Sequence, residues 1–145
     1  MQEDRETAPM EKTLESKHEK TILVVDDDPV ILKYISSFLK EEFTVLTARS
    51  GQEALRVAKD CTTDLDLLLS DFEMPGLSGI ELATQLTAER PKIKILLMSG
   101  FAGGTLVLNE GWHFMAKPFV PSQLTTLIQG LISPEKKTRF QAGKA

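Results

Sequence analysis

The sequence predicts one α/β domain in which five short strands alternate with helices around a parallel sheet. Short continuous apolar runs, such as residues 22–25 and 67–69, are typical of strands that are buried on both faces. Between these runs, apolar residues recur at the spacing of a helix face. This alternation favours right-handed crossovers and a sheet with helices on both faces. With 145 residues and 41% hydrophobic content, the chain can form a single packed core.

The first strand leads directly into a helix. Residues 22–25 are followed by three acids and Pro29, and proline suits the first turn of a helix, where no backbone donor is needed. Asp28 is the predicted N-cap of this helix. Asp66, near the start of the third strand, is interpreted as a solvated charge. The further predicted elements are strands at 43–48, 65–70, 93–98 and 112–116 and helices at 51–59 (capped by Ser50), 78–89 and 121–132.

The segment between the fourth and fifth strands is poor in helix-forming residues. Gly100, Gly103 and Gly104 weaken any helix here, and Gly111 ends the segment. We therefore predict only a short helix, the fourth in the chain, between the fourth and fifth strands.

The two ends of the chain differ in composition from the rest. Residues 1–20 are charged and show no clear apolar period, which predicts a flexible extension. Residues 133–145 form a basic tail after the last helix. The domain itself is therefore predicted to span residues 21–132. The chain is expected to contain no separate output domain.

Charge and cysteine content exclude several classes of protein. The net charge of −4 makes the chain a poor candidate for binding nucleic acid or an anionic membrane. No apolar run approaches the roughly 20 residues that span a bilayer, and the polar N-terminus is not typical of a signal peptide. With the single Cys61, no internal disulfide is possible. A cytoplasmic location is the default expectation.

Chemically distinctive residues follow four of the five predicted strands. Asp26 and Asp27 follow the first strand, Asp71 the third, Ser99 the fourth and Lys117 the fifth. In open parallel sheets, ligands bind beyond the carboxyl ends of the strands, where the strand order reverses. In a flavodoxin-like, doubly wound sheet of order 2-1-3-4-5, the first and third strands are neighbours. The three aspartates would then share one small volume.

Three close carboxylates need a proton or a cation among them, because their charges repel. An oxygen-rich cluster with room for water suits Mg²⁺. Lys117 supplies a compact positive charge for a phosphoryl oxygen, and Ser99 supplies a hydroxyl. These groups predict a phosphoryl-transfer site in which Asp71 is the nucleophile.

Over about residues 20–132, the chain resembles the receiver domain of bacterial two-component response regulators. Four motifs in the same order along the chain make the resemblance specific. They are residues 22–29, residues 67–71 with 74–76 and 79–82, residues 98–100, and residues 117–119.

The resemblance implies how the acids divide their roles. Asp71 would accept a phosphoryl group from a phosphohistidine on a sensor histidine kinase or a histidine phosphotransfer protein. Asp27, Asp71 and the backbone carbonyl of Glu73 would bind Mg²⁺ directly. Asp26 would act mainly through bound water.

It also implies a switch. Lys117 would hold the phosphoryl group, and Ser99 would turn inward to donate a hydrogen bond to it. Phe114, three residues before Lys117, occupies the aromatic switch position and would follow. The signal would pass to an unknown downstream protein, so the domain would be a signalling switch and not a turnover enzyme.

One departure from the family pattern concerns spacing. Ser99 and Lys117 are 18 residues apart, about one helical turn less than in a typical receiver. Similar shortened versions occur in receivers attached to hybrid sensor kinases. The face that usually serves for output and dimerisation is therefore expected to differ here.

Two other functions remain open at this stage. The first is an interaction module that keeps the fold without being phosphorylated; the retained acids, Ser99 and Lys117 argue against it. The second is a Mg²⁺-dependent phosphohydrolase with an aspartyl nucleophile, for which Glu73 stands at the offset of a general acid. Residues 74–76 favour the receiver.

Overall fold

The computed structural model describes residues 20–100 and 112–132, which form five strands and four helices. In chain order they are β1 Thr21–Val25, α1 Pro29–Leu39, β2 Thr44–Ala48, α2 Gly51–Asp60, β3 Leu67–Asp71, α3 Gly79–Glu89, β4 Lys94–Ser99, β5 Trp112–Ala116 and α4 Pro121–Ile132. The labels α1 to α4 cover the described helices only. The predicted N-terminal extension, the shortened helix between β4 and β5 and the basic tail lie outside the described residues. None of these four helices is long and apolar enough to cross a membrane.

The five strands form one parallel sheet in the order β2-β1-β3-β4-β5, which confirms the predicted fold class. Leu23 of β1 lies opposite Leu46 of β2 on one side and Leu68 of β3 on the other. β2 is therefore added on one side of β1, and β3 and the later strands are added on the other side. This reversal of the strand order opens a crevice at the carboxyl ends of β1 and β3, where α/β sheets bind ligands.

Alternate side chains of the strands pack into two apolar layers, one on each face of the sheet. The first layer, under α2 and α3, includes Leu23, Leu68, Leu97, Leu82 and Leu86. The second layer, under α1 and α4, includes Ile22, Leu69, Leu96, Ile35 and Ile128. Both faces of the central strands are buried, which explains their continuous apolar sequences.

Side-chain caps fix where three helices begin. Asp28 accepts a hydrogen bond from the Val30 amide at 2.9 Å, and Ser50 caps α2 in the same way, so both predicted caps are confirmed. Ser78, predicted as the first helical residue, is instead the N-cap of α3 and forms a reciprocal capping box with Glu81. Each helix therefore starts at a defined distance from the preceding strand end.

The third strand starts later than predicted. Its ladder with β1 begins at Leu67, opposite Ile22, and it ends at Asp71. Asp66 is half-buried, and its Oδ2 accepts a hydrogen bond from the Thr21 amide at 2.8 Å. The interpretation of Asp66 as a solvated charge is therefore wrong: its carboxylate ties the start of β1 to the segment before β3.

Candidate functional site

Three carboxylates converge in the crevice between β1 and β3. Asp26 and Asp27 directly follow β1, and Asp71 is the last residue of β3. One oxygen of each carboxylate lies within 4.8 Å of the other two. Asp26 is 1% exposed, whereas Asp27 is exposed to solvent. The cluster therefore has a buried floor and an open side.

Lys117 closes the cluster from the end of β5. Its ammonium donates to Asp71 Oδ1 at 3.3 Å and to Asp26 Oδ2 at 3.4 Å. Its backbone amide donates to the Ser99 carbonyl at 2.8 Å, which ties it to the end of β4. The peptide bond between Lys117 and Pro118 is cis. One ammonium thus faces two carboxylates from neighbouring strands.

The environment of Asp71 raises the pKa of its carboxyl group. Burial raises the pKa of this carboxyl, and the negative charges of Asp26 and Asp27 raise it further. The positive charge of Lys117 opposes them, but the pKa remains above its ordinary value. For Lys117, burial alone would lower the pKa, but the charges of Asp26 and Asp71 outweigh it, and the net shift is upward. The site therefore holds more negative charge than Lys117 neutralises.

This imbalance predicts that Asp71→Asn raises the melting temperature when metal is chelated. Because the folded-state pKa of Asp71 lies above its unfolded value, ionisation costs stability, and that cost appears as the pH rises through the carboxyl range. Thermal unfolding at pH 7 in EDTA measures the effect. We expect Mg²⁺ to raise the melting temperature of the wild type more than that of the variant. A variant less stable than the wild type in EDTA would contradict this electrostatic account.

The cluster fits a small hard cation. All three side chains present carboxylate oxygens, and the 4.8 Å limit on their separation allows one ion to contact more than one of them. The exposed side at Asp27 leaves room for the waters and phosphate oxygens that Mg²⁺ retains. These residues therefore fit Mg²⁺.

Glycines bring the start of α3 against the end of β3. A Cβ on Gly79 would lie 2.3 Å from the carbonyl oxygen of Asp71, closer than side chains approach backbone atoms. The Gly79 amide donates to the Phe72 carbonyl at 3.0 Å. Gly76, in the same connection, has φ +78°, which glycine adopts without strain. These backbone contacts fix the position of Asp71 at the carboxyl end of β3.

The family model of the response regulator receiver domain matches residues 22–129, which is most of the chain. The chain belongs to this family. The carboxylate cluster and Lys117 lie within the matched region, at the carboxyl ends of β1, β3 and β5.

The chain is similar to a sensor kinase and to response regulators. It is 29% identical over 131 residues to the sensor kinase CckA of Brucella abortus; that match covers 87% of this chain but only 14% of the kinase. It is also similar to the response regulator TrrA of Thermotoga maritima, crystallised with Mg²⁺–BeF (TM-score 0.68, 32% identity, 77% of this chain and 98% of that one). A chain in the crystal structure of the histidine kinase ThkA with TrrA matches at TM-score 0.64 and 33% identity, covering 79% and 99%.

Most of the predicted site residues of this receiver domain come together. Asp26, Asp27, Asp71 and Lys117 form the cluster itself. Ser99 ends β4 opposite Ala116 of β5, and its carbonyl accepts the hydrogen bond from the Lys117 amide. The predicted role of each residue in phosphoryl transfer stays a prediction.

Glu73 and Phe114 complete the set of predicted residues, and the metal contact predicted for the Glu73 backbone carbonyl stays a prediction. Glu73 is exposed in the connection between β3 and α3. Phe114 is half-buried in β5, where its ring contacts Phe72 with centroids 5.7 Å apart. The sequence motifs assign no role to Phe72. Its position directly after Asp71 was the only available signal, because the contact with Phe114 depends on the folded sheet.

Proposed function

We propose that this receiver domain is a phosphoacceptor switch in which Asp71 takes a phosphoryl group from a phosphohistidine of a sensor kinase or phosphotransfer protein. One observation carries the proposal: a single ammonium, that of Lys117, lies within 3.4 Å of both Asp71 and Asp26, beside a third carboxylate. Such a cation would stabilise the negative charge on the oxygens of a phosphoryl group bound to Asp71.

The proposed step is one in-line displacement. An Asp71 carboxylate oxygen attacks phosphorus, the bond from phosphorus to the histidine nitrogen breaks, and the imidazole leaves with the electron pair. Lys117 balances charge on the phosphoryl oxygens. Asp27, Asp71 and the Glu73 carbonyl would hold Mg²⁺, with Asp26 acting through water. When bound, Mg²⁺ supplies the charge that offsets the three carboxylates and the incoming phosphoryl group.

The proposed output is a change of shape read by another protein. In this proposal Ser99 donates a hydrogen bond to the phosphoryl group and Phe114 moves with it. The domain then acts once per phosphoryl group and not as a turnover enzyme. A cytoplasmic location without a nucleic-acid or membrane partner remains a prediction.

An apolar surface beside the cluster supports docking of a protein donor. Among the described residues, the most exposed large hydrophobic side chains are Val30, Val120 and Tyr34, at 73%, 50% and 49%. Val30 and Tyr34 lie on the first two turns of α1, and Val120 lies just before α4, three residues after Lys117. Tyr34 also lines a groove of about 370 Å³, together with Ile31, Lys117, Pro118 and Phe119. A helix of the donor could cover this surface while its phosphohistidine reaches Asp71.

Disrupting this surface should separate protein donors from small ones. We expect Val30→Glu to slow phosphoryl transfer from an autophosphorylated histidine kinase about tenfold or more, because a charge then meets the apolar partner. Labelling by acetyl phosphate should stay unchanged. Ala88→Glu, at an exposed position of α3 on the other face of the sheet, is the matched control. Equal loss with both donors would argue against a docking role.

The proposed function is tested by intact mass after incubation with Mg²⁺ and acetyl phosphate. A single added phosphoryl group, absent in Asp71→Ala, is the expected result. No adduct with acetyl phosphate or with any kinase would favour an interaction module instead. Continuous turnover of many phosphoesters would favour a phosphohydrolase.

A further inference from the structure

The residue after the proposed phosphoacceptor contacts the proposed switch residue. The rings of Phe72 and Phe114 meet edge to face, with centroids 5.7 Å apart and planes at 66°, an arrangement that aromatic pairs favour. Phe72 follows β3 and Phe114 lies in β5, and β4 separates these strands in the sheet. The ring pair therefore connects two strands that share no backbone hydrogen bonds.

The backbone of Phe72 is held on both sides. Its amide donates to the Met98 carbonyl at 2.7 Å, and its carbonyl accepts from the Gly79 amide at 3.0 Å. β4 and the start of α3 therefore anchor the backbone from which the Phe72 ring projects. That ring contacts a side chain that is proposed to move.

The pair lies on the face of the sheet toward which Ser99 also points. Leu97 belongs to the first apolar layer, and alternation along β4 places Ser99 on the same face. Phe72 and Phe114 both pack against that layer, and Phe114 lies opposite Leu97. A movement of Phe114 toward Ser99 must therefore change its contact with Phe72.

We propose that Phe72 is a positioning residue that holds Phe114 in its resting position and so opposes the activated state. This inference rests on the proposed function of Asp71. Removing the Phe72 ring should make the activated position easier to reach by about 2- to 10-fold, which is the range that one edge-to-face pair contributes. By linkage, affinity for a phosphoryl mimic should increase by the same factor.

The test is the affinity for beryllium fluoride at fixed Mg²⁺ concentration, followed by NMR of ¹³C-labelled phenylalanine rings in the full chain. The Phe114 signals are assigned with Phe114→Leu. We expect Phe72→Leu and Phe72→Met to bind about 2- to 10-fold more tightly than the wild type and to shift Phe114 toward its bound position in the free protein. Phe72→Tyr, which keeps the ring, should behave as the wild type.

Phe38→Leu is the matched control, because it removes a ring from a similar edge-to-face pair with Tyr34, 5.4 Å apart, on α1. Unchanged or weaker binding in both Phe72 variants, with phosphorylation of the wild type intact, would overturn this inference and leave the proposed function standing. An equal effect of Phe38→Leu would also overturn it. A wild type that takes no phosphoryl group and shows no Phe114 response would overturn both.

Discussion

Lys117→Met is expected to slow the phosphorylation of Asp71 by acetyl phosphate about 10²- to 10³-fold, the usual loss when one preorganised charge-stabilising donor is removed. The Lys117 ammonium lies 3.3 Å from Asp71 Oδ1 and 3.4 Å from Asp26 Oδ2, and the Lys117 backbone amide donates to the Ser99 carbonyl. This positive charge is therefore already beside Asp71 when negative charge develops on the phosphoryl oxygens. Methionine keeps most of the side-chain volume and removes the charge.

The same substitution should have the opposite effect on metal binding. Lys117 and Mg²⁺ compete for oxygens of Asp26 and Asp71, and removal of the ammonium leaves those carboxylates uncompensated. We therefore expect Lys117→Met to bind Mg²⁺ more tightly while it reacts more slowly. General damage to the site would weaken both.

Intact mass as a function of time measures the rate, and calorimetric titration measures Mg²⁺ affinity. Lys94→Met is the matched control, since Lys94 is an exposed lysine at the start of β4, at the opposite edge of the sheet. A Lys117→Met variant that is phosphorylated at the wild-type rate would refute the role proposed for its charge.

Gly79→Ala is expected to lower the free energy of unfolding by about 3 kcal/mol, near the upper end for overpacking. The added Cβ would lie 2.3 Å from the Asp71 carbonyl oxygen and 3.1 Å from Phe72, and both are backbone atoms that cannot rotate away. The strand end that carries Asp71 or the start of α3 must therefore shift. Phosphorylation should slow together with the loss of stability.

Gly130→Ala should act in the opposite direction. A Cβ at this position in α4 would meet no described atom within 4 Å, and alanine is the better helix former. We expect a gain of about 0.5–1 kcal/mol with no change in phosphorylation. Urea unfolding of both variants measures the two effects. Similar stability changes for the two glycines would contradict the packing described around Asp71.

The fold and the acid cluster could be predicted because the signals lie in local sequence. Central strands buried on both faces are almost entirely apolar, and the aspartates stand at their carboxyl ends. Asp28 and Ser50 indicate where their helices begin, because aspartate and serine are favoured at the N-cap. Once the strand order is assumed, Asp26, Asp27 and Asp71 must lie near one another, as they do.

The remaining features depend on contacts that no local pattern encodes. The later start of β3 follows from its pairing with β1, where Leu67 faces Ile22. The same pairing with β1 brings the Asp66 carboxylate within hydrogen-bond distance of the Thr21 amide. The contact between Phe72 and Phe114 joins two strands across β4. A pair so distant in sequence becomes evident only in the folded sheet.

The central claim is that Asp71 is the residue that carries the phosphoryl group. Borohydride reduction of the protein treated with acetyl phosphate and Mg²⁺ converts an aspartyl phosphate to homoserine, and peptide mass spectrometry then locates it. We predict homoserine at position 71, and none when EDTA replaces Mg²⁺. Homoserine at another aspartate, or a phosphoryl group that resists reduction, would contradict the claim.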